Sequence, residues 1–493
     1  MSSIATALDR AVPVASIRWA LLGGVVAATV GAALTWNAAA GFGLAFLIAV
    51  GVAVALRPAN ILGVLVAAVF LELFKVGGVT VTRLVAPIAL LVVLAAAVKK
   101  ETAIRWSAPL AWAAAYAVWA LASGLWTESV SGTTYALASL TIALVYMLTF
   151  GSLITTKAEL NRVLFVVAAF SLVLGVLSIL AFTGRHPLGL TLAGEGRAGG
   201  GTGNPNFFAA IQVITLPLIL VLAVYEQRMF RRGFLVLAAI INLGSVLSTL
   251  SRGGTLSLLL VVLLLLALPA RAIFTTRAHK ALAVGVILLA ATLFVYRYSG
   301  DVAPRLLSIV GGSQGTDAGS GRLGIWPAAW NEFTEHPVTG IGFGAFVEVS
   351  VDRILDTPIS QDFELFATEP KEVHNAYLGT MTELGLPGLV LFLGLMVSTI
   401  VALLRTARRA REVGEQYVAS VATAIVVGLA GWSVGSVFAE SETARPRWIM
   451  IGICLALPKL LPAVTRASGA DWRSPGSTEA DSTPASAPTA QAP

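Results

Sequence analysis

Val373-His374-Asn375-Ala376-Tyr377-Leu378 leads to Glu383-Leu384-Gly385-Leu386-Pro387-Gly388 and then into an apolar run through Met396. A polar segment hands a histidine to the start of what reads as a membrane span. Upstream lie Gly321-Arg322 with Trp326, then His336-Pro337-Val338-Thr339-Gly340-Ile341-Gly342-Phe343-Gly344. The stretch Arg322 to Met396 decides the fold: apolar helices with a polar loop set among them.

Composition extends that reading to the whole chain. Its 493 residues are 57% hydrophobic and 12% charged, too apolar for a soluble globular protein of this length. The apolar runs are continuous rather than alternating, which favours helices over a barrel. The expected fold is an all-α polytopic membrane protein. A formal charge of +7 fits a basic rim against anionic lipid and calls for no nucleic acid. Cys454 is the single cysteine, which leaves no internal disulfide and no cysteine-rich metal site.

Length and apolarity pick out about fourteen spans, with about twelve to fourteen as the expected range. They lie near 18–35, 41–56, 59–74, 84–98, 108–125, 134–153, 161–182, 205–225, 233–250, 255–270, 280–298, 376–404, 418–439 and 446–463. Arg10 and Arg18 before the first apolar run resemble a signal peptide, but more spans follow at once, so it reads as a retained span. The chain divides into a cytoplasmic N-terminus at 1–17, spans 1 to 11 over 18–298, an extracytoplasmic loop at 299–373, spans 12 to 14 over 374–463, and a Ser/Pro/Ala/Thr-rich tail at 464–493 expected to be disordered. Within the loop, Trp326, Ala329, Trp330 and Phe333 recur at helical spacing up to His336-Pro337. They predict a short amphipathic helix lying on the bilayer surface.

Basic residues set the orientation. With the N-terminus inside, the short cytoplasmic segments collect Arg57, Lys99, Lys157, Arg228, Arg231, Arg232, Arg271, Lys280, Arg405 and Arg411 among others, and the outer ones hold far fewer. The loop 299–373, the turn Ser251-Arg252-Gly253-Gly254 and the start of the span after His374 then all face outside. No nucleotide-binding glycine pattern appears, which argues against nucleotide-driven work.

Several residues there could carry chemistry. Arg197 sits in a glycine-rich segment before Asn204-Pro205-Asn206, and Arg252 sits between two spans. Glycine lets backbone approach a ligand, and arginine forks onto phosphate oxygens. Helix N-termini add positive potential. The competing reading is turn glycines beside snorkelling arginines, and both readings stand at this stage. His374 reads either as a base acting on a sugar hydroxyl or, with Asn375, as a helix cap. Glu383, roughly 13 Å further along that helix at 1.5 Å per residue, and Glu72 are ionisable groups inside spans. For Glu72, Lys75 is the expected partner. His186, His279 and His336 show no informative pattern.

Together these motifs resemble the O-antigen ligase and O-antigen polymerase superfamily of bacterial GT-C-type membrane glycosyltransferases. The resemblance rests on Thr249-Leu250-Ser251-Arg252-Gly253-Gly254, Gly321-Arg322 with Trp326, His336-Pro337 with Gly340 to Gly344, and His374-Asn375 with Tyr377, Glu383, Gly385 and Gly388. It covers about residues 195–400. It implies transfer of a glycan from undecaprenyl diphosphate to an acceptor hydroxyl, outside the bacterial cytoplasmic membrane, with inversion and without metal or cofactor. Arg197, Arg252 and Arg322 would hold the diphosphate and His374 would engage the acceptor, with Asn375, Tyr377 and Glu383 in support. The implied partners are the lipid-linked donor, a glycan or lipid-linked acceptor, membrane lipids and polysaccharide assembly proteins. Ligases, polymerases and protein O-oligosaccharyltransferases share these motifs. A lipid-linked oligosaccharide flippase is the alternative of a different class, though it expects internal pseudo-symmetry, which the sequence does not display.

Overall fold

In lipid every backbone N–H and C=O needs a partner within the chain, and helices supply one locally. The computed structural model describes residues 51, 57–71, 75–76, 79–99, 105–185, 197–200, 204–300, 322–356, 369–439 and 443–462. Fourteen helices are used below. They are α1 (Asn60–Phe70), α2 (Val81–Val98), α3 (Ala108–Ala122), α4 (Val130–Leu153), α5 (Lys157–Phe182), α6 (Pro205–Tyr225), α7 (Met229–Ser248), α8 (Arg252–Ala267), α9 (Arg277–Arg297), α10 (Arg322–Glu335), α11 (Phe346–Leu355), α12 (Ala376–Glu412), α13 (Gln416–Gly435) and α14 (Arg445–Ala456). Among the described residues, nine helices are long and apolar enough to cross a membrane, and α1 and α8 are shorter apolar helices. The chain is an all-α polytopic membrane protein. A two-residue antiparallel ladder, Lys75–Val76 with Val79–Thr80, precedes α2.

Helix α6 is the central post. It is buried along almost its whole length and packs against α5, α7, α8 and α13. A polar knot pins α5, α6 and α7 together. Asn242 Nδ2 donates to Gln212 Oε1 at 2.9 Å and to Ser171 Oγ at 2.8 Å, and Ser171 Oγ donates to Gln212 Oε1 at 2.6 Å. Apolar burial gives little direction between helices in lipid, so such bonds and close packing set the register. A second cluster joins α3, α4, α12 and α14 around Tyr116, Met147, Phe392 and Trp448. Helix α9 clings to α7 and buries few side chains.

The expected spans from 59–74 onward coincide with observed helices, with three instructive differences. The span at 376–404 is one helix to Glu412 but breaks at Gly385 (φ 66°, ψ −170°). The sequence reads straight through because Gly385 and Pro387 are the only local signals of a break. The basic residues Arg405 to Arg411 lie inside this helix rather than in a connection. Second, α10 does form and does stop at His336, but it packs onto α12. Trp326 Nε1 donates to Val373 O at 3.1 Å, and Thr382 Oγ1 donates to Ala329 O at 2.9 Å. Trp326 therefore faces protein, while Trp330 is half exposed. Third, a second loop helix, α11, joins it, and the two share a small core of Ile325, Ala329, Ile341, Phe346, Ile354 and Val373. The expected spans 18–35 and 41–56, together with Glu72, His186 and the tail, lie outside the described residues.

Candidate functional site

The break in α12 positions everything around it. Breaking a helix frees backbone groups, and each finds a partner here. The segment His336 to Gly344 runs against residues 382–386: Ile341 N donates to Thr382 O, Gly342 N to Glu383 O, and Leu386 N to Pro337 O. Trp119 Nε1 of α3 donates to Leu384 O at 2.9 Å, and Trp126 Nε1 to Thr339 O at 3.1 Å. The backbones touch. A Cβ on Gly385 would lie 2.2 Å from Val338 O, and one on Gly340 would lie 2.3 Å from Glu383 C; both glycines have positive φ. Only glycine fits that crossing. Glu383, buried to 4% exposure, accepts from Gly344 N at 2.8 Å. Its carboxylate bonds the loop.

The two arginines of separate motifs meet beside this crossing. Asn204 caps α6, its Oδ1 accepting from Asn206 N and Phe207 N. Ser251 caps α8 through Gly254 N. Between the caps, Asn206 Oδ1 accepts from Arg197 Nη2 and from Ser251 Oγ, each at 2.8 Å. Arg197 Nε donates to Thr249 O at 3.1 Å. Arg197 is thus held against the turn that carries Arg252. Arg252 itself has no hydrogen-bond or ion-pair partner among the described residues, and its Nε is buried. Two helix N-termini meet there, Arg197 is bonded to the turn between them, and Arg252 opens α8 from that turn, an arrangement suited to phosphate oxygens.

His374 stands at the entry to α12. Asn375 caps that helix, its Oδ1 accepting from Tyr377 N at 3.0 Å and Leu378 N at 3.2 Å. His374 Nδ1 lies 3.7 Å from Glu372 Oε2. The end of α13 and the turn after it lie between the histidine and the arginine turn. Ser436 O accepts from Ala376 N at 2.8 Å, and Ser433 O accepts from Tyr377 OH at 2.8 Å. On its other side this turn meets α8: a Cβ on Gly253 would lie 3.0 Å from Phe438 Cβ. Leu250 (φ 49°) and His374 (φ 55°) are the non-glycine residues with positive φ among those described. One lies two residues before Arg252 and the other is the histidine itself. Such backbone costs about 1–3 kcal/mol and gathers at functional sites.

A cavity of about 450 Å³ opens at this end. Asn204 and Phe207 of α6, Tyr135 and Ser139 of α4, the loop residues Phe343, Glu348 and Glu372, and Glu383, Thr443 and Arg445 line it. It therefore runs from the cap beside Arg197 to the carboxylate beside His374. A larger cavity, about 680 Å³, lies at the other end of the bundle, where Arg162 and Arg231 face Glu159 and Glu226.

The sequence reading missed Arg445, Arg447 and Glu348. Arg447 is 1% exposed and stacks on Phe392, 4.6 Å from the ring centroid. Two arginines opening a span read as flanking charges, and only the fold turns them inward. The Arg322 side chain lies outside what the structure describes. Glu128, Glu332 and His336 bring metal-ligand atoms within 4.8 Å of one another. Arg353 fills that place, with Nη2 2.9 Å from Glu128 Oε2 and Nε 2.9 Å from Glu332 Oε1. Burial pushes the Glu332 carboxyl up, against the pull of Arg353.

A search of the curated proteins found no match to the chain. Residues 234–393 match the O-antigen ligase family. That span starts within α7, includes Arg252, both loop helices and His374, and ends beyond the break in α12, so the similarity to O-antigen ligases falls on the part of the chain that carries the candidate site.

Proposed function

We propose that this chain moves a glycan from undecaprenyl diphosphate to an acceptor hydroxyl at the outer face of the bacterial cytoplasmic membrane, with inversion. The family supports glycan transfer in general, and the site supports the rest. The observation that carries the reading is the unpartnered Arg252 guanidinium beside the fixed Arg197. A guanidinium whose buried Nε finds no partner in the protein is costly unless a ligand supplies one.

In the proposed reaction the acceptor oxygen attacks the anomeric carbon of the donor. The C–O bond to diphosphate breaks, undecaprenyl diphosphate departs, and the acceptor proton passes to His374. Arg197 and Arg252 stabilise the charge that grows on the leaving diphosphate. Arginine supplies charge that a divalent ion supplies elsewhere, so the proposed mechanism needs no metal. His374 is fixed by its cap and by the Ser436 tie, which makes attack effectively intramolecular once both substrates are bound. The outward orientation rests on basic residues gathering at the opposite end, where Arg57, Lys157, Arg231 and Lys280 lie. Arg322 and Tyr377 belong to the proposal as a third phosphate contact and a support for the α13 turn.

The test is release of undecaprenyl diphosphate by purified protein given donor and acceptor. His374→Ala and Arg252→Ala should each abolish release while the protein still folds, and chelator should leave release intact. Turnover retained in both variants would remove this site.

A further inference from the structure

The cavity beside His374 differs in charge from the arginine notch next to it. Three carboxylates, Glu348, Glu372 and Glu383, line it, against the single guanidinium of Arg445. At its rim Arg83 sits over the Tyr135 ring, 4.4 Å from the centroid. Glu383 bonds Gly344 N, and Glu372 faces His374. Glu348 comes from the first turn of α11, is exposed, and has no partner among the described residues. Around these lie hydroxyl and amide groups (Ser139, Thr443, Asn204) and the apolar rings of Phe207 and Phe343. Carboxylates accept hydrogen bonds and donate none when ionised. Such a wall suits a ligand rich in O–H or N–H donors with an apolar ring face. An anionic ligand would meet like charge, which disfavours it.

We infer that this cavity is the acceptor subsite, and that Glu348 and Glu372 make it select uncharged or amine-bearing sugars over sugars carrying a carboxylate. The inference rests on the glycosyl-transfer reading above and adds the class of acceptor. The donor diphosphate goes to the arginines, and the acceptor goes to the carboxylates. Opposite charge on adjoining walls keeps the two substrates from exchanging places. Glu372 has a second part here: it lies 3.7 Å from His374 Nδ1 and favours the imidazolium formed once the acceptor proton has moved.

The experiment uses full-length protein, the undecaprenyl-diphosphate-linked donor, and two acceptors: a trisaccharide ending in a neutral hexose, and the same molecule oxidised at C6 of that hexose to the carboxylate. The neutral acceptor should win in kcat/KM by at least about tenfold, the size of one unfavourable charge contact. Glu348→Gln should lower that ratio at least about threefold, and Glu348→Arg should lower it further. Titration of both trisaccharides against the protein without donor reads the same preference where turnover is slow. Equal use and equal binding of the two acceptors, or an unchanged ratio in Glu348→Arg, would overturn the inference while leaving glycosyl transfer standing. Absence of undecaprenyl diphosphate release with either acceptor, alongside a neutral preference in the titration, would instead count against the transfer reading and leave the subsite selectivity in place.

Discussion

Arg353 and Arg252 stand at the same end of the bundle and do opposite things. Arg353 is locked between Glu128 and Glu332, 2.9 Å from each. Arg252 has no carboxylate within ion-pair distance among the described residues, which is what sets it apart. The first arginine joins α10 and α11 to the turn before α4, so its charge is spent inside the fold. The second is held in place by backbone and caps, and its charge remains available. The contrast separates a cation that builds from one that, on the proposed reading, binds.

The comparison breaks most sharply if Arg252 proves structural. Arg252→Ala should cut kcat/KM by about 10²–10³ or more, the usual loss for one transition-state donor, with thermal stability in detergent unchanged. Arg252→Lys should recover only part of this, because an ammonium cannot fork onto two phosphate oxygens; full recovery would reduce Arg252 to a point charge. Arg353→Ala should do the reverse. It strands the buried Glu332 carboxylate and should cost about 1–3 kcal/mol, discounted from the fully buried case because the arginine is partly exposed. Activity should fall less than in Arg252→Ala, and limited proteolysis should cut the loop faster.

The strap at the α12 break sharpens the same contrast at smaller scale. Gly385→Ala places a Cβ 2.2 Å from Val338 O and should destabilise by about 1–3 kcal/mol through strain at positive φ. Trp119→Phe removes the bond to Leu384 O and should cost about 1 kcal/mol. Melting temperature checks both. A wild-type melting curve for Gly385→Ala would show that the strap is not held at this crossing.

Much of this was legible in the chain, for physical reasons. Apolar runs mark helices without any tertiary knowledge, so a helix appears close to each expected span from 59–74 to 446–463, although Asn60–Phe70, Arg252–Ala267 and Arg445–Ala456 are shorter than a membrane crossing needs. Arg197, Arg252 and His374 were legible because glycine, cap and cation occur together in short motifs. Convergence was not legible, since it depends on Asn206 bonding both Arg197 and Ser251 and on the Ser433–Phe438 turn touching both α8 and α12. Glu348 and Arg445 carry no local signal, and only packing places them at the cavity. The α12 break hid for a similar reason: Gly385 and Pro387 become a break only where the 336–344 segment supplies partners.

One measurement tests the central claim most directly: the shift in melting temperature on adding undecaprenyl diphosphate to wild type, Arg252→Ala and Arg353→Ala. A ligand that binds the folded state alone raises stability by RT ln(1 + [L]/Kd), so a lost contact that weakens binding shrinks the shift. The account predicts a clear upward shift for wild type, a similar shift for Arg353→Ala from a lower starting point, and little or none for Arg252→Ala. A full shift in Arg252→Ala, or a shift lost in Arg353→Ala and kept in Arg252→Ala, would contradict it.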